Sequence, residues 1–153
     1  PLSLLGVWGY NTEYQLLYGH PEYLLMALFA FIWINDTGAY IVGCTLGRHR
    51  LFERISPKKS WEGFFGGLVF CIILAACLNY IIPGLLTTTQ WIIMGILTSV
   101  FSTWGDLCES LLKRTAGVKD SGRLLPGHGG ILDRFDSELL ASPVIFIYLT
   151  LVL

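Results

Sequence analysis

Two pairs of carboxylates are the first candidates for chemistry. Asp106 and Glu109 stand three residues apart, as do Asp133 and Asp136, and on a helix each pair would share a face. Like charges placed this way repel each other, and a bound divalent cation relieves the repulsion. Hard oxygen ligands of this type suit magnesium, which ordinarily takes one or two carboxylates together with substrate phosphates. Between the pairs lie Lys113, Arg114, Lys119 and Arg123, followed by Pro126-Gly127-His128-Gly129-Gly130. Cations beside metal-binding carboxylates are what phosphoryl or nucleotidyl transfer requires, because charge must be screened on the ground-state phosphates and stabilised as it redistributes. Glycines let backbone N–H groups come close to phosphate oxygens, as Gly129 and Gly130 could here. The same run would also serve as a plain turn between two helices. His128 is a candidate for phosphate contact or proton handling, with a structural hydrogen-bonding role as the alternative. His20 and His49 have no comparable surroundings and are assigned no role. A P-loop is excluded, because no GxxxxGK motif followed by Ser or Thr is present.

A second polar island, Arg48 to Gly63, contains Ser56-Pro57-Lys58-Lys59-Ser60-Trp61-Glu62-Gly63. A basic loop beside a membrane is ordinarily a topology determinant or an anionic-lipid contact. The sharper reading is that Lys58 and Lys59 receive a phosphorylated lipid or a nucleotide, with Ser56 and Glu62 among the substrate contacts. Asp36, flanked by Asn35 and Thr37, sits inside an apolar run, where an isolated charge is costly unless it faces a polar cavity or a partner. It is expected to face the same cavity as the other candidates.

The elements that must position these residues follow from composition. The chain has 153 residues, 54% of them hydrophobic and 14% charged, against roughly 25% charged in a soluble domain. Residues 63 to 105 carry no charge, and neither do residues 139 to 153. The first of these stretches is about 64 Å of helix, twice the roughly 30 Å of bilayer hydrocarbon, and Pro83-Gly84 falls near its middle. The expected fold is all-α, a polytopic integral membrane protein with about four transmembrane helices. The spans expected are Leu24 to about Gly47, Phe64 to Ile82, Gln90 to Asp106, and Leu139 to the end. Gly63, Gly66 and Gly67 would let a neighbouring helix approach the second span closely.

No basic residue precedes Arg48, and all ten fall in the two polar islands. Two spans separate those islands, so an up-down topology places both on one side, and the positive-inside rule makes that side cytoplasmic. The Pro83 to Thr89 turn then lies outside. Cys44, Cys71, Cys77 and Cys108 have neither CxxC spacing nor clustered histidines, so buried thiols are expected in place of a disulfide framework or zinc site. Pro1 is not an initiator residue, and the chain is read as a fragment of a longer protein.

The motif-bearing residues resemble a known family. Ser110-Leu-Leu-Lys113-Arg114, four residues, Lys119-Asp120-Ser-Gly122, and then Leu125-Pro-Gly-His128-Gly129-Gly130-Ile-Leu-Asp133-Arg134-Phe-Asp136-Ser137 resemble the signature of the phosphatidate cytidylyltransferases, also called CDP-diacylglycerol synthases. Asn35-Asp36-Thr-Gly-Ala39-Tyr40, the Ser56 to Gly67 segment and Gly105 to Ser110 agree with it, so the resemblance covers about residues 30 to 142. It implies an integral membrane enzyme that joins CTP and phosphatidic acid, with magnesium, to give CDP-diacylglycerol and pyrophosphate. In that family, carboxylates at the positions of Asp106, Asp133 and Asp136 surround the metal. Family members carry further N-terminal spans, so residues 1–153 are expected to be the membrane-embedded, C-terminal catalytic part.

Taken together, the residues and the resemblance assign the metal to Asp106, Asp133 and Asp136. Catalysis falls to Asp36, Lys113, Arg114, Lys119, Asp120, His128 and Arg134, and substrate contact to Ser56, Lys58, Lys59, Glu62, Gly129 and Gly130. The expected partners are CTP, phosphatidic acid and membrane lipids, with no nucleic acid and with a homodimer as a candidate assembly. The expected location is a bacterial inner membrane or its equivalent, with the active site facing the cytoplasm. The alternatives are a CTP-dependent transferase acting on an archaeal ether lipid, a polyprenol kinase, and a transporter with Asp36 in its pathway. The DGxxAR pattern of the CDP-alcohol phosphotransferases is absent.

Overall fold

Residues 21–52, 56–117 and 132–152 are described by the structure, a computed structural model, without the side chains of residues 21, 22, 57, 58 and 132–134. The apolar runs form α1 (Pro21–Leu46), α2 (Trp61–Ile81), α3 (Thr88–Thr115) and α4 (Leu132–Val152). All four are long and apolar enough to cross a membrane. The 21 residues of α2 extend about 31 Å, which matches the hydrocarbon thickness. The fold is the all-α polytopic membrane bundle expected from the sequence.

Local chemistry sets the helix ends. Ser60 caps α2, its hydroxyl accepting from the Gly63 N–H at 3.1 Å. At the start of α3, Thr87 and Gln90 form a reciprocal capping box, which satisfies two of the backbone donors that a helix start leaves open. Helix α3 stops at Gly117, whose φ of 69° lies in the left-handed region that glycine occupies without strain. Its N–H donates to the Arg114 carbonyl at 3.2 Å.

Two boundaries differ from the sequence reading. Helix α3 continues past Asp106 to Thr115, so Asp106 lies inside a helix and Lys113 and Arg114 lie on its last turns instead of in a loop. Hydrophobicity marks where a span can lie in lipid, but a helix continues beyond it wherever its propensity and packing permit. Helix α4 likewise starts at Leu132, ahead of its uncharged run. The basic segment between α1 and α2 was read as a loop and is an antiparallel hairpin, β1 (Arg50–Phe52) and β2 (Ser56–Ser60), with Arg50 opposite Ser60 and Phe52 opposite Ser56. Pro57 is tolerated because both strands of a two-stranded sheet are edges.

The most extensive helix interface is between α1 and α2, and α3 packs on both α2 and α4. The close approach expected at Gly63, Gly66 and Gly67 is present, and the helix that approaches is α1. A Cβ on Gly66 would stand 2.5 Å from the Val42 side chain, and one on Gly67 would stand 2.6 Å from Asn35 Oδ1. Gly105 does the same for α4, where a Cβ would meet the Asp136 carbonyl at 2.6 Å. The core between the helices holds Phe31, Ile32, Cys71, Ala75, Trp91, Met94, Ala141 and Ile145. Large apolar residues such as Trp33, Tyr80, Phe146 and Leu151 are exposed on the outer faces, as suits a lipid solvent. All four cysteines are free, but only Cys71 is buried. Cys44, Cys77 and Cys108 are exposed, because in a membrane an outward-facing apolar position is as favourable as an inward one.

The glycine contacts carry a testable consequence. Gly66→Val should cost about 1–3 kcal/mol through overpacking against Val42, read as a lowered midpoint of thermal unfolding in detergent. Exchanging the outward-facing Val69 for Ala should leave the midpoint nearly unchanged.

Candidate active site

Three helices and the hairpin meet around one charged cavity of about 260 Å³, lined by Asn35, Asp36, Tyr40, Lys59, Thr103 and Asp106 among others. Lys59 is delivered by the penultimate position of β2, Asp36 by the middle of α1, and Asp106 by α3. Lys59 Nζ lies 2.5 Å from Asp106 Oδ2 and also donates to the Thr103 carbonyl at 3.4 Å. Asp106 Oδ1 accepts from the Ser110 hydroxyl at 3.3 Å. Asp36 lines the same cavity as Lys59 and Asp106. Asp136 comes from the first turns of α4, and its Oδ1 accepts from the Ser137 N–H at 2.6 Å. Two carboxylates, Asp36 and Asp106, therefore share the cavity with one ammonium, Lys59.

Beneath the cavity lies a buried polar cluster. Asn35, 2% exposed, donates from Nδ2 to Ser102 Oγ at 3.1 Å and accepts at Oδ1 from Ser99 Oγ at 2.7 Å. Ser99 in turn offers its carbonyl to the hydroxyls of Ser102 and Thr103. Interhelical hydrogen bonds of this kind contribute only about 0.6 kcal/mol each on average, because the unfolded state in the membrane also finds partners.

The sequence-selected residues divide into groups. Asp36, Lys59 and Asp106 come together around the cavity, while Asp136, on α4, is not in its lining. Glu62 does not join them: its carboxylate accepts from the His49 backbone N–H at 3.2 Å and pairs with the His49 ring at 2.7 Å, which ties the end of α1 to the start of α2. His49, assigned no role from sequence, is therefore a structural anchor of the hairpin. Asp106 and Glu109 do not share the cavity either, since Glu109 pairs with Lys113 at 3.2 Å one turn further on. Arg114 is exposed on the last turn of α3, and Ser56 opens β2 opposite Phe52, away from the cavity lining. The side chains of Lys58, Asp133 and Arg134, and all of Lys119, Asp120, His128, Gly129 and Gly130, lie outside the described residues.

Sequence reasoning named Asn35 only as a flank of Asp36 and passed over Ser99, Ser102 and Thr103. Their signal was present as a hydroxyl stripe at helical spacing inside the uncharged part of α3. Among the described residues no three His, Cys, Asp or Glu side chains are grouped closely enough to hold a metal by themselves. The donor chemistry still fits magnesium, which ordinarily binds through one or two carboxylates and fills its remaining positions with phosphate oxygens and water.

A second cavity, of about 270 Å³, adjoins the first and shares Leu51, Phe64 and Thr103 with it. Its remaining lining is Phe52, Trp61, Trp104, Leu107, Cys108 and Leu111. A charged chamber therefore stands next to an apolar one, as an amphiphilic substrate with an anionic head group requires.

Comparison with known proteins bears on this geometry. The model of the cytidylyltransferase family matches residues 12–152. The chain belongs to that family. Among its curated relatives, the phosphatidate cytidylyltransferase of Staphylococcus haemolyticus (strain JCSC1435) is 47% identical over 128 residues, covering 84% of this chain and 49% of the relative. The phosphatidate cytidylyltransferase of Staphylococcus aureus (strain COL) is 47% identical over 143 residues, covering 92% and 54%. That of Staphylococcus epidermidis (strain ATCC 12228 / FDA PCI 1200) is 46% identical over 141 residues, with the same coverage. The chain spans about half the length of the curated relatives it matches.

The separation of Lys59 from Glu62 is testable. Lys59→Met should lower activity by about 10- to 1000-fold, because it removes the positive charge that Asp106 faces in the cavity. Glu62→Gln should cost less than about 3-fold, since the pair it weakens is exposed to solvent and lies outside the cavity lining. Steady-state rates of both variants check this.

Proposed function

We propose that the protein to which this chain belongs transfers the cytidylyl group of CTP to phosphatidate, giving CDP-diacylglycerol and pyrophosphate. The observation that carries the reading is the meeting of Asp36, Lys59 and Asp106 around one cavity beside an apolar one. Family membership and the names of the relatives support it. The lipid phosphate is already an anion and needs little base assistance. Its oxygen attacks the α-phosphorus of CTP, the bond to the β-phosphate oxygen breaks, and pyrophosphate leaves with that electron pair.

Each residue has a task in this scheme. Lys59 leaves Asp106 to receive a phosphate oxygen, which turns an internal ion pair into a substrate contact. Asp106, Asp133 and Asp136 would hold magnesium, and Lys113, Arg114 and Lys119 would neutralise the triphosphate. When bound, magnesium would align the two phosphate groups and offset charge in the transition state. The acyl chains stay on the apolar side, against Trp104, Leu107 and Leu111, so the lipid need not leave the membrane. Both polar ends of the bundle, the hairpin and the C-terminal turns of α3, face the cytoplasm, where CTP is held.

The deciding experiment supplies the full-length protein in liposomes with CTP and phosphatidate and identifies products by mass. CDP-diacylglycerol with pyrophosphate is expected. Formation of CDP and a phosphorylated lipid would replace the reading with a kinase. Asp106→Asn, Asp133→Asn and Asp136→Asn should each remove most activity and shift its magnesium dependence, whereas Glu138→Gln should change little.

Orientation is tested separately. In a background with Cys44, Cys71, Cys77 and Cys108 replaced by alanine, a membrane-impermeant maleimide applied from the cytoplasmic side should label Arg50→Cys and Leu112→Cys but not Pro83→Cys. Labelling of the first two from opposite sides would overturn the topology.

A further inference from the structure

We infer that Asn35 is a positioning residue for the reaction: bridging Ser99 and Ser102 through the gap left by Gly67, it holds Asp36 of α1 and Asp106 of α3 at a fixed separation across the charged cavity. This rests on the transfer reading above. The side chain uses both ends of its amide, donating to Ser102 Oγ at 3.1 Å and accepting from Ser99 Oγ at 2.7 Å. It reaches α3 only because α2 has no side chain at Gly67, where a Cβ would stand 2.6 Å from Oδ1. Asp36 is the next residue along α1. On α3, Ser102 lies one turn before Asp106, on the same face. The bridge therefore sits directly under the two carboxylates.

Those carboxylates repel each other, with Lys59 as the cation that shares their cavity. Direct packing between α1 and α3 is slight compared with that of either helix on α2, so apolar contact does little to set the gap. A hydrogen-bonded bridge of defined length sets it instead. Its loss would let the carboxylates drift apart while leaving the glycine-packed α1–α2 pair and the α3–α4 pair intact. The expected signature is damage to turnover out of proportion to damage to stability.

The test uses full-length protein carrying Asn35→Leu, which keeps volume and membrane compatibility, with Ser99→Ala and Ser102→Ala as milder variants. In Asn35→Leu, kcat should fall about 10- to 100-fold, as misplacement of reacting groups predicts, with KM for CTP within about 2-fold and the thermal midpoint close to wild type. With the four native cysteines replaced by alanine, spin labels on Ile41→Cys and Leu112→Cys should give a broader distance distribution in Asn35→Leu than in the parent. The double variant Asn35→Leu with Ser99→Ala should be no slower than Asn35→Leu alone, because both remove one bridge. The inference is overturned by a wild-type kcat with an unchanged distance distribution, by losses in the double variant that multiply, or by a midpoint that falls in step with kcat. The spin-label measurement needs no turnover, so a wild type that makes no CDP-diacylglycerol would sink the transfer reading and leave the bridge itself still tested.

Discussion

Charge inside a membrane bundle is the constraint on which the rest of this structure depends. Asp36 and Asp106 stand around a cavity walled by helices that are otherwise apolar, and each ionised carboxylate there is penalised unless a partner or water compensates it. Lys59 supplies the partner that the structure describes, 2.5 Å from Asp106. A lysine cannot be placed on a membrane-spanning helix at that depth without a similar penalty of its own. The chain brings it in on a hairpin instead, from the polar end of the bundle. The hairpin is in turn pinned by Glu62 to His49 and by the Trp61 N–H donating to the His49 carbonyl at 3.0 Å.

The helix packing serves the same end. Without a hydrophobic force between helices in lipid, close approach depends on small residues, and Gly63, Gly66 and Gly67 let α1 lie almost backbone to backbone on α2. That contact brings the α1 residues Asn35 and Asp36 within reach of α3. Gly105 performs the corresponding service between α3 and α4, bringing Asp136 to the level of Asp106. Glycine at these positions is a matter of clearance, because all four lie in ordinary helical backbone.

The juxtaposition of a charged and an apolar cavity along the shared wall of Leu51, Phe64 and Thr103 suits a reaction between a water-soluble nucleotide and a lipid. Neither substrate must cross into the other's solvent. In the proposed reaction a divalent cation would compensate both the protein's carboxylates and the phosphates of the nucleotide.

Much of this was legible in the amino-acid sequence. The lengths of the uncharged runs determined four membrane helices, since only about twenty apolar residues can satisfy a bilayer's thickness. The restriction of basic residues to two islands determined that these share one side, and the lone Asp36 in an apolar run marked a polar cavity. Spacing along the chain could not say which charges meet. Asp106 and Glu109, three apart, look like one pair, yet one faces Lys59 and the other Lys113, because the neighbouring elements differ around the helix. Glu62 and Lys59 look like one motif, yet they point to different tasks. Asn35 looked like a flank of Asp36, and its bridge to Ser99 and Ser102 spans more than sixty residues of chain. Apolar length and charge asymmetry are properties of a segment and its solvent, so they can be read locally. Which carboxylate finds which cation depends on the distance and rotation between helices, and glycine clearances far apart in the chain set these only once the helices have packed.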